Sequence, residues 1–259
     1  MIVAVIGLGQ IGSSLAAALK KRGLAHVIGI SRRPSTVREA LKRRIIDGAG
    51  DVERADVVVL ATPVRTLISQ LIPVATRMKR GAILTDVGST KEAVVRAAPG
   101  IRFVPGHPMA GSEKAGIAGC DADLFVGRPW VLLPGPGRDV VARLVRAVGA
   151  KPVFLRSAAE HDRIVAECSH LPHLIAYALL RIGDARYTGG SYRDATRVAL
   201  SDVDMVLDFL VTNRRLRPVV RRFARELSRL AGADERTLRN AMRRARARRQ
   251  SLLPFMGSV

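Results

Sequence analysis

Aromatic residues are scarce in this chain: one Trp, three Tyr and six Phe among 259 residues. A surface that binds single strands by stacking bases on side-chain rings has little to be built from. Cysteine is scarcer still. Cys120 and Cys168 are too few and too far apart for a disulfide framework, which points to a reducing compartment. No run approaches the ~20 consecutive apolar residues needed to cross a bilayer, so no membrane partner is expected. The amino terminus enters an apolar strand directly, without the charged and cleavable pattern of a secretion signal, and the expected location is the cytoplasm. Acid is the last shortage: 22 Asp and Glu face 43 Lys and Arg, a net charge of +21.

The excess of base concentrates near the carboxyl end. Between Arg214 and Arg249 fourteen arginines face only Glu226, Asp234 and Glu235, a net of +11. Such a stripe is the footprint of nucleic-acid binders. This one lacks lysine, carries no zinc-finger or RNP-like motif, and has leucines and valines recurring at helical spacing. It reads as solvated helix faces, and nucleic acid is not an expected partner. A positive field that draws anionic substrates toward the molecule follows in either case.

What the chain has in quantity is apolar side chains, 48% of it, enough for a sizeable core spread over an α/β domain and a smaller second one. The opening segment Ile2–Ile6 is an apolar strand running into Gly7-Leu8-Gly9-Gln10-Ile11-Gly12, with the small and apolar face of a packed helix behind it. In that setting G-x-G-x-x-G predicts a dinucleotide site. Gly7 allows the tight turn, Gly9 lets the backbone approach a pyrophosphate, and Gly12 lets helix and strand pack closely. The second strand, Val27–Ile30, ends in Ser31-Arg32-Arg33. An NAD site places a carboxylate at about this distance for the ribose 2′-hydroxyl, whereas a 2′-phosphate needs that carboxylate absent and cations present. NADP is therefore favoured over NAD, with arginine suited to grip a phosphate through two parallel hydrogen bonds.

Strands and helices then alternate as a parallel sheet requires. Strands are expected at 56–61, 82–86, 101–104, 130–133 and 152–155, and helices at 35–44, 65–78, 91–98 and 139–148. From 158 to 249 the apolar spacing is helical nearly throughout. The reading is a Rossmann-type dinucleotide-binding domain over 1–157, followed by an all-α substrate and dimerisation domain over 158–259. The helical part is too thin to bury both faces of its helices alone, which predicts a homodimer through 158–249, with the arginine stripe mainly outside the interface.

Ligands in open α/β sheets bind beyond the carboxyl ends of the strands. Three turns there carry candidate chemistry: Ala61-Thr62-Pro63, Asp86–Lys91, and Gly106-His107-Pro108-Met109-Ala110-Gly111-Ser112-Glu113. A dehydrogenase needs a group beside the departing hydride to take the hydroxyl proton, and His107 suits that role. His170, His173 and Cys168 fall short of a coordination set, so no metal is expected. His26 and His161 read as structural or exposed.

Four stretches carry a resemblance: Gly106–Gly111, Asp86-Val87-Gly88-Ser89, Ser169-His170-Leu171-Pro172-His173, and Asp194-Ala195-Thr196-Arg197 followed by Ser201-Asp202. In this order, over nearly the whole chain, they resemble the prephenate and arogenate dehydrogenases of tyrosine biosynthesis. The resemblance implies oxidation of a cyclohexadienyl substrate at its ring hydroxyl, with hydride passing to NAD(P) and the ring carboxylate leaving as CO₂. Prephenate would give 4-hydroxyphenylpyruvate, and arogenate would give tyrosine.

By the same resemblance His107 is the general base, Ser89 orients the ring hydroxyl, and Arg197 grips a substrate carboxylate. Asp194, one helical turn earlier, would hold Arg197, and Glu113 would gate access. His173 would lie near the side-chain carboxylate, where donation to a keto acid favours prephenate over arogenate. The chain departs from the family pattern after Ser201-Asp202, where Val203 stands in place of the common proline and no tryptophan follows. An aromatic contribution from a partner subunit to the pocket is thereby put in doubt.

Overall fold

The computed structural model describes residues 1–111, 114–184, 186 and 189–256. The first half follows the βα alternation: β1 (Ile2–Ile6), α1 (Gln10–Lys21), β2 (His26–Ile30), α2 (Pro34–Lys42), β3 (Gly48–Ala49), β4 (Val57–Leu60), α3 (Val64–Arg77), β5 (Ile83–Asp86), α4 (Glu92–Arg96) and β6 (Phe103–Val104). These strands form one parallel sheet in the order β3-β2-β1-β4-β5-β6. The order reverses between β1 and β4, the place where such folds bind ligands.

Both faces of the sheet are covered, so its central strands are apolar throughout rather than alternating. Val3, Val5, Val57 and Val59 pack on one side with Leu15, Leu19 and Trp130. Ala4, Ile6, Val58 and Leu60 pack on the other with Leu67 and Leu71 of α3. The period of two along β1 and β4 thus divides the core into two layers.

The later strands depart from the expectation of one continuous parallel sheet. β7 (Gly106–Pro108), β8 (Pro129–Leu132) and β9 (Lys151–Phe154), with α5 (Arg138–Ala147) between the last two, form a separate three-stranded sheet. In it β7 runs antiparallel to β8. The cause is local. Pro105 has no N–H to extend β6, and the next amide, Gly106 N, donates to the Asp86 carboxylate at 3.0 Å. His107 therefore sits on a short strand and not in a turn.

Ser157 opens the helical region by accepting from Glu160 N at 3.1 Å, while Glu160 accepts from Arg156 N at 2.9 Å. There follow α6 (Ala158–Val165), a π turn over Ala166–His170, α7 (Leu171–Ile182), α8 (Gly190–Thr196), a 3₁₀ turn over Arg197–Leu200 and α9 (Val203–Thr212). Everything to Leu216 forms one compact unit, and Arg217–Val259 forms a second. The latter holds most of α10 (Leu216–Ala231) and all of α11 (Glu235–Met256). Asp234 caps α11 by accepting from Thr237 N at 2.9 Å. Part of the arginine stripe is engaged along the helices, Arg229 with Glu226 and Arg239 with Glu235. No helix among the described residues is long and apolar enough to cross a membrane.

Candidate active site

The glycine loop shows why its three glycines are not interchangeable. Gly7 has φ +98°, and a Cβ there would lie 2.6 Å from the carbonyl oxygen of Ala61. A Cβ on Gly12 would lie 1.9 Å from the carbonyl oxygen of Gly7. These two serve the packing of helix on strand. Gly9 differs: nothing lies within 4 Å of its Cβ position, and it starts α1 with no capping side chain and no acid in the first turn. The amino end of α1 thus has open space at Gly9 and no acid in its first turn, which fits a dinucleotide pyrophosphate. Leu8 is buried beneath the loop, Ile11 packs against the core, and the Gln10 side chain reaches toward Gly111 and Gly119.

The Ser31–Arg33 turn stands beside this loop, because β1 and β2 are paired and Gly7 N donates to Ile30 O at 2.9 Å. Ser31 Oγ accepts from Arg33 N, and the side chains of Arg32 and Arg33 are exposed. On the other side of β1, Thr62 bonds Gln70 at 2.7 Å and Pro63 precedes α3.

Below the next turn lies a buried ion pair that sequence reasoning missed. Lys91 Nζ is 2.6 Å from Asp86 Oδ2, and both side chains are fully buried. The ammonium also donates to the carbonyls of Gly88 at 2.6 Å and Thr90 at 3.3 Å, while Asp86 accepts from Gly88 N and Gly106 N. With every donor matched, the pair ties the turn carrying Ser89 to the strand carrying His107.

His107 itself bonds a residue that reads in sequence as structural or exposed. Its Nδ1 is 2.9 Å from Nε2 of His161, and His161 Nδ1 is 2.8 Å from Asp162 Oδ1. Asp162 is held in turn by Lys91 N at 2.7 Å and Glu92 N at 2.9 Å. His161 is only 1% exposed, which corrects the surface alternative. His107 keeps part of its surface accessible at the edge of the site. Burial, and then the neighbouring His161, Lys91 and His170, hold its pKa well below the usual value of 6.5. That shift favours the neutral imidazole.

The π turn brings two further histidines into register with α9. His170 stacks on Phe209 at 4.3 Å, and its Nδ1 accepts from Asn213 Nδ2 at 2.9 Å. Burial pushes the His170 pKa down to about 4. His173 meets the edge of the same Phe209 ring at 5.2 Å, and its Nδ1 donates to the carbonyl of Ser169 at 3.0 Å. One turn further on, the Tyr177 hydroxyl is buried with no hydrogen-bond partner among the described residues.

Arg197 opens the 3₁₀ turn that packs on α7, and Asp194 lies one turn before it on α8. Both are exposed and form no ion pair with each other, so the expected support of Arg197 by Asp194 is not made in this conformation. Glu113 lies outside the described residues. Among the described residues no three His, Cys, Asp or Glu side chains are grouped to hold a metal ion.

The chain matches a family described as prephenate dehydrogenase twice, with its nucleotide-binding domain over residues 15–154 and its dimerisation domain over 157–244. It is 34% identical over 231 residues to a prephenate dehydrogenase of Lactococcus lactis subsp. cremoris, an alignment covering 82% of this chain and 64% of that protein. The chain thus spans less than two thirds of that relative's length. Among solved structures it resembles the Synechocystis arogenate dehydrogenase, with TM-score 0.84 and 30% identity over 98% of this chain and 100% of that one. It also resembles the prephenate dehydrogenase of Aquifex aeolicus in complex with hydroxyphenyl propionate and NAD⁺, with TM-score 0.85 and 27% identity over 97% and 98% of the two chains. A nucleotide-binding sheet, a helical dimerisation domain and a histidine on the short strand that follows that sheet are thus combined in one chain, which belongs to the prephenate dehydrogenase family.

Proposed function

We propose that the chain is a dehydrogenase converting prephenate to 4-hydroxyphenylpyruvate with hydride transfer to NAD(P), a step of tyrosine biosynthesis. The observation that carries this reading is His107, a neutral imidazole bonded inward through Nδ1 and accessible in part at the edge of the site. In this reading His107 Nε2 takes the ring hydroxyl proton, which concentrates negative charge on oxygen as hydride leaves the ring carbon. Loss of CO₂ returns electrons to the ring, and His107 gives the proton back to the new phenol oxygen. The balance is prephenate and oxidised cofactor in, and hydroxyphenylpyruvate, CO₂ and reduced cofactor out.

Ser89 orients the ring hydroxyl, and Arg197 clamps a carboxylate with a planar fork that lysine lacks. His173 stands by the side-chain carboxylate, with Asp194 and Glu113 completing the proposed set from the likeness to the family. Gly7 to Gly12, Ser31 to Arg33, Thr62 and Pro63 would hold the dinucleotide, whose nicotinamide supplies the hydride acceptor when bound. NADP is the proposed preference, supported by the two exposed guanidiniums after β2 and the absence of a carboxylate there. We place the functional division of the chain near residue 157, with a homodimer formed through the helices that follow. Leu180, Ile182, Leu200, Val203, Met205, Leu207 and Val211 are exposed apolar residues of that region and support it.

One observation favours arogenate as a second reading. A carbonyl can only accept, so the bond to Ser169 O places a proton on His173 Nδ1 and leaves Nε2 of the neutral ring as an acceptor. That nitrogen suits the ammonium of arogenate, whereas donation to a keto acid requires the imidazolium.

The test is turnover of both substrates with both cofactors, with CO₂ measured alongside. One CO₂ per reduced cofactor is expected, and absence of turnover with every combination would refute the reading. His107→Asn should retain cofactor binding and lose about 10²–10⁴ in kcat. Ser31→Asp combined with Arg32→Gln should shift preference toward NAD.

A further inference from the structure

We propose that His161 and Asp162 are positioning residues for His107, forming a hydrogen-bonded chain that dictates which nitrogen of the His107 ring is left to accept the substrate proton. The inference rests on the proposed role of His107 and adds two residues to it.

The argument is one of proton counting. Asp162 already accepts two backbone amides, Lys91 N at 2.7 Å and Glu92 N at 2.9 Å, which suits a carboxylate that only accepts. The 2.8 Å contact to its Oδ1 therefore requires the proton to be on Nδ1 of His161. A neutral His161 then has a lone pair on Nε2, and the 2.9 Å contact to His107 requires the proton to be on Nδ1 of His107. Only Nε2 of His107 remains with a lone pair. Each step follows from the one before, and a single carboxylate sets the tautomer of two rings.

The chain cannot readily swing away. His161 and Asp162 lie in the middle of α6 and are almost wholly buried, and the backbone carbonyl of Asp162 accepts from Asn213 Nδ2 at 2.8 Å. The charged and titratable groups facing His107 are His161 itself, His170, and Lys91, whose charge is paired with Asp86. Lys91 opposes a cation on the two rings, while Asp162 and Asp86 favour one on His161. When His107 takes a proton, the nearest uncommitted negative charge in this arrangement is Asp162, reached through His161. The same logic of an acid orienting a histidine governs the serine hydrolase triad, where an amide in place of the acid installs the wrong tautomer.

Asp162→Asn is the decisive variant. Oδ1 meets both His161 Nδ1 and Lys91 N while Oδ2 meets Glu92 N, so with the amide oxygen kept on Glu92 N the NH₂ takes the Oδ1 place, gives up the Lys91 N bond and donates to His161. That reverses both rings and leaves a proton on His107 Nε2, where a lone pair is needed. The expected result is a loss of about 10³–10⁴ in kcat with KM and cofactor affinity little changed. A second pair guards against a folding defect. His161→Gln offers an amide oxygen to His107 Nδ1–H and should keep kcat within about tenfold, whereas His161→Leu offers no acceptor and should lose about 10²-fold or more.

The tautomer can be read without turnover from two-bond ¹H–¹⁵N spectra of the histidine rings in the full-length protein. His107 protonated at Nδ1 in the unaltered protein and at Nε2 in Asp162→Asn supports the proposal. Protonation at Nε2 in the unaltered protein, or a folded Asp162→Asn with kcat within threefold of normal, overturns it. Equal kcat for the His161 Gln and Leu variants does the same. If the unaltered protein turns over no substrate, the reading of its function fails, while the spectra still decide the proton chain.

Discussion

Asp208, on α9, caps the amino end of α3: its carboxylate accepts from the backbone amide of Val64 and from Arg65 Nε, the latter at 2.8 Å. A residue of the helical region thereby fixes the helix that follows Thr62 and Pro63. Asp208→Ala removes the cap and leaves Val64 N without its partner, at an expected cost of about 1–2 kcal/mol. Urea denaturation would measure it. A change within 0.5 kcal/mol, taken as about the scatter for surface substitutions, would show that the contact contributes little.

Gly12→Ala and Gly9→Ala should separate folding from cofactor binding. At Gly12 the added methyl would lie 1.9 Å from the Gly7 carbonyl, so the expected outcome is a protein that folds poorly or not at all. At Gly9 it meets nothing within 4 Å, and the melting temperature should stay close to normal. The methyl occupies the space above the start of α1, so affinity for the dinucleotide should fall at least tenfold. Calorimetric titration of the folded Gly9→Ala protein with NADP and NAD checks this.

Lys91→Met should be among the most damaging core changes. It leaves the Asp86 carboxylate fully buried without its cation, a loss of about 3–5 kcal/mol. Adding Asp86→Asn removes the stranded charge and should recover part of the stability, because an amide oxygen can still accept from Gly88 N or Gly106 N. A double variant no more stable than Lys91→Met alone would count against the ion pair as the cause.

Stability should decline on mild acidification. His170 has its pKa lowered to about 4 in the folded protein against about 6.5 when unfolded. Above pH 6.5 both states are neutral and the contribution is flat. Between 6.5 and about 4 the unfolded chain binds a proton that the folded one refuses, so about 3 kcal/mol is lost as pH falls through that window. His107 and His161 are lowered too and act in the same direction. His170→Asn, which keeps an acceptor near Asn213 but does not titrate, should flatten part of the dependence in melts between pH 7.5 and 4.5.

The dinucleotide loop was legible in the chain because its requirements are local. Gly7 and Gly12 are five residues apart and constrain one another directly, and the apolar runs on either side announce strand and helix by their period. The helical region after residue 157 was legible for the same reason. His107 stood out as a candidate through the glycines around it and its place after a strand. Its partner was not: His161 is 54 residues away, and nothing in the spacing of Glu160-His161-Asp162 distinguishes a buried pair from a solvated helix face.

The burial of Lys91, Asp162, Asp208 and Asn213 was silent for a common physical reason. A charged or amide side chain goes inside only when the fold supplies its hydrogen-bond partners, and those partners come from other elements. The second sheet has the same origin, since Pro105 can end β6 by itself but only the Asp86 carboxylate, 20 residues earlier in the chain, gives the Gly106 amide somewhere else to go. Sequence alone therefore determined the periodic elements and the glycine loop, whose energetics are settled within a few residues. The tertiary structure decided which polar groups are buried, which nitrogen of His107 is bonded to His161, and which helix end Asp208 closes, because each depends on contacts between elements far apart along the chain.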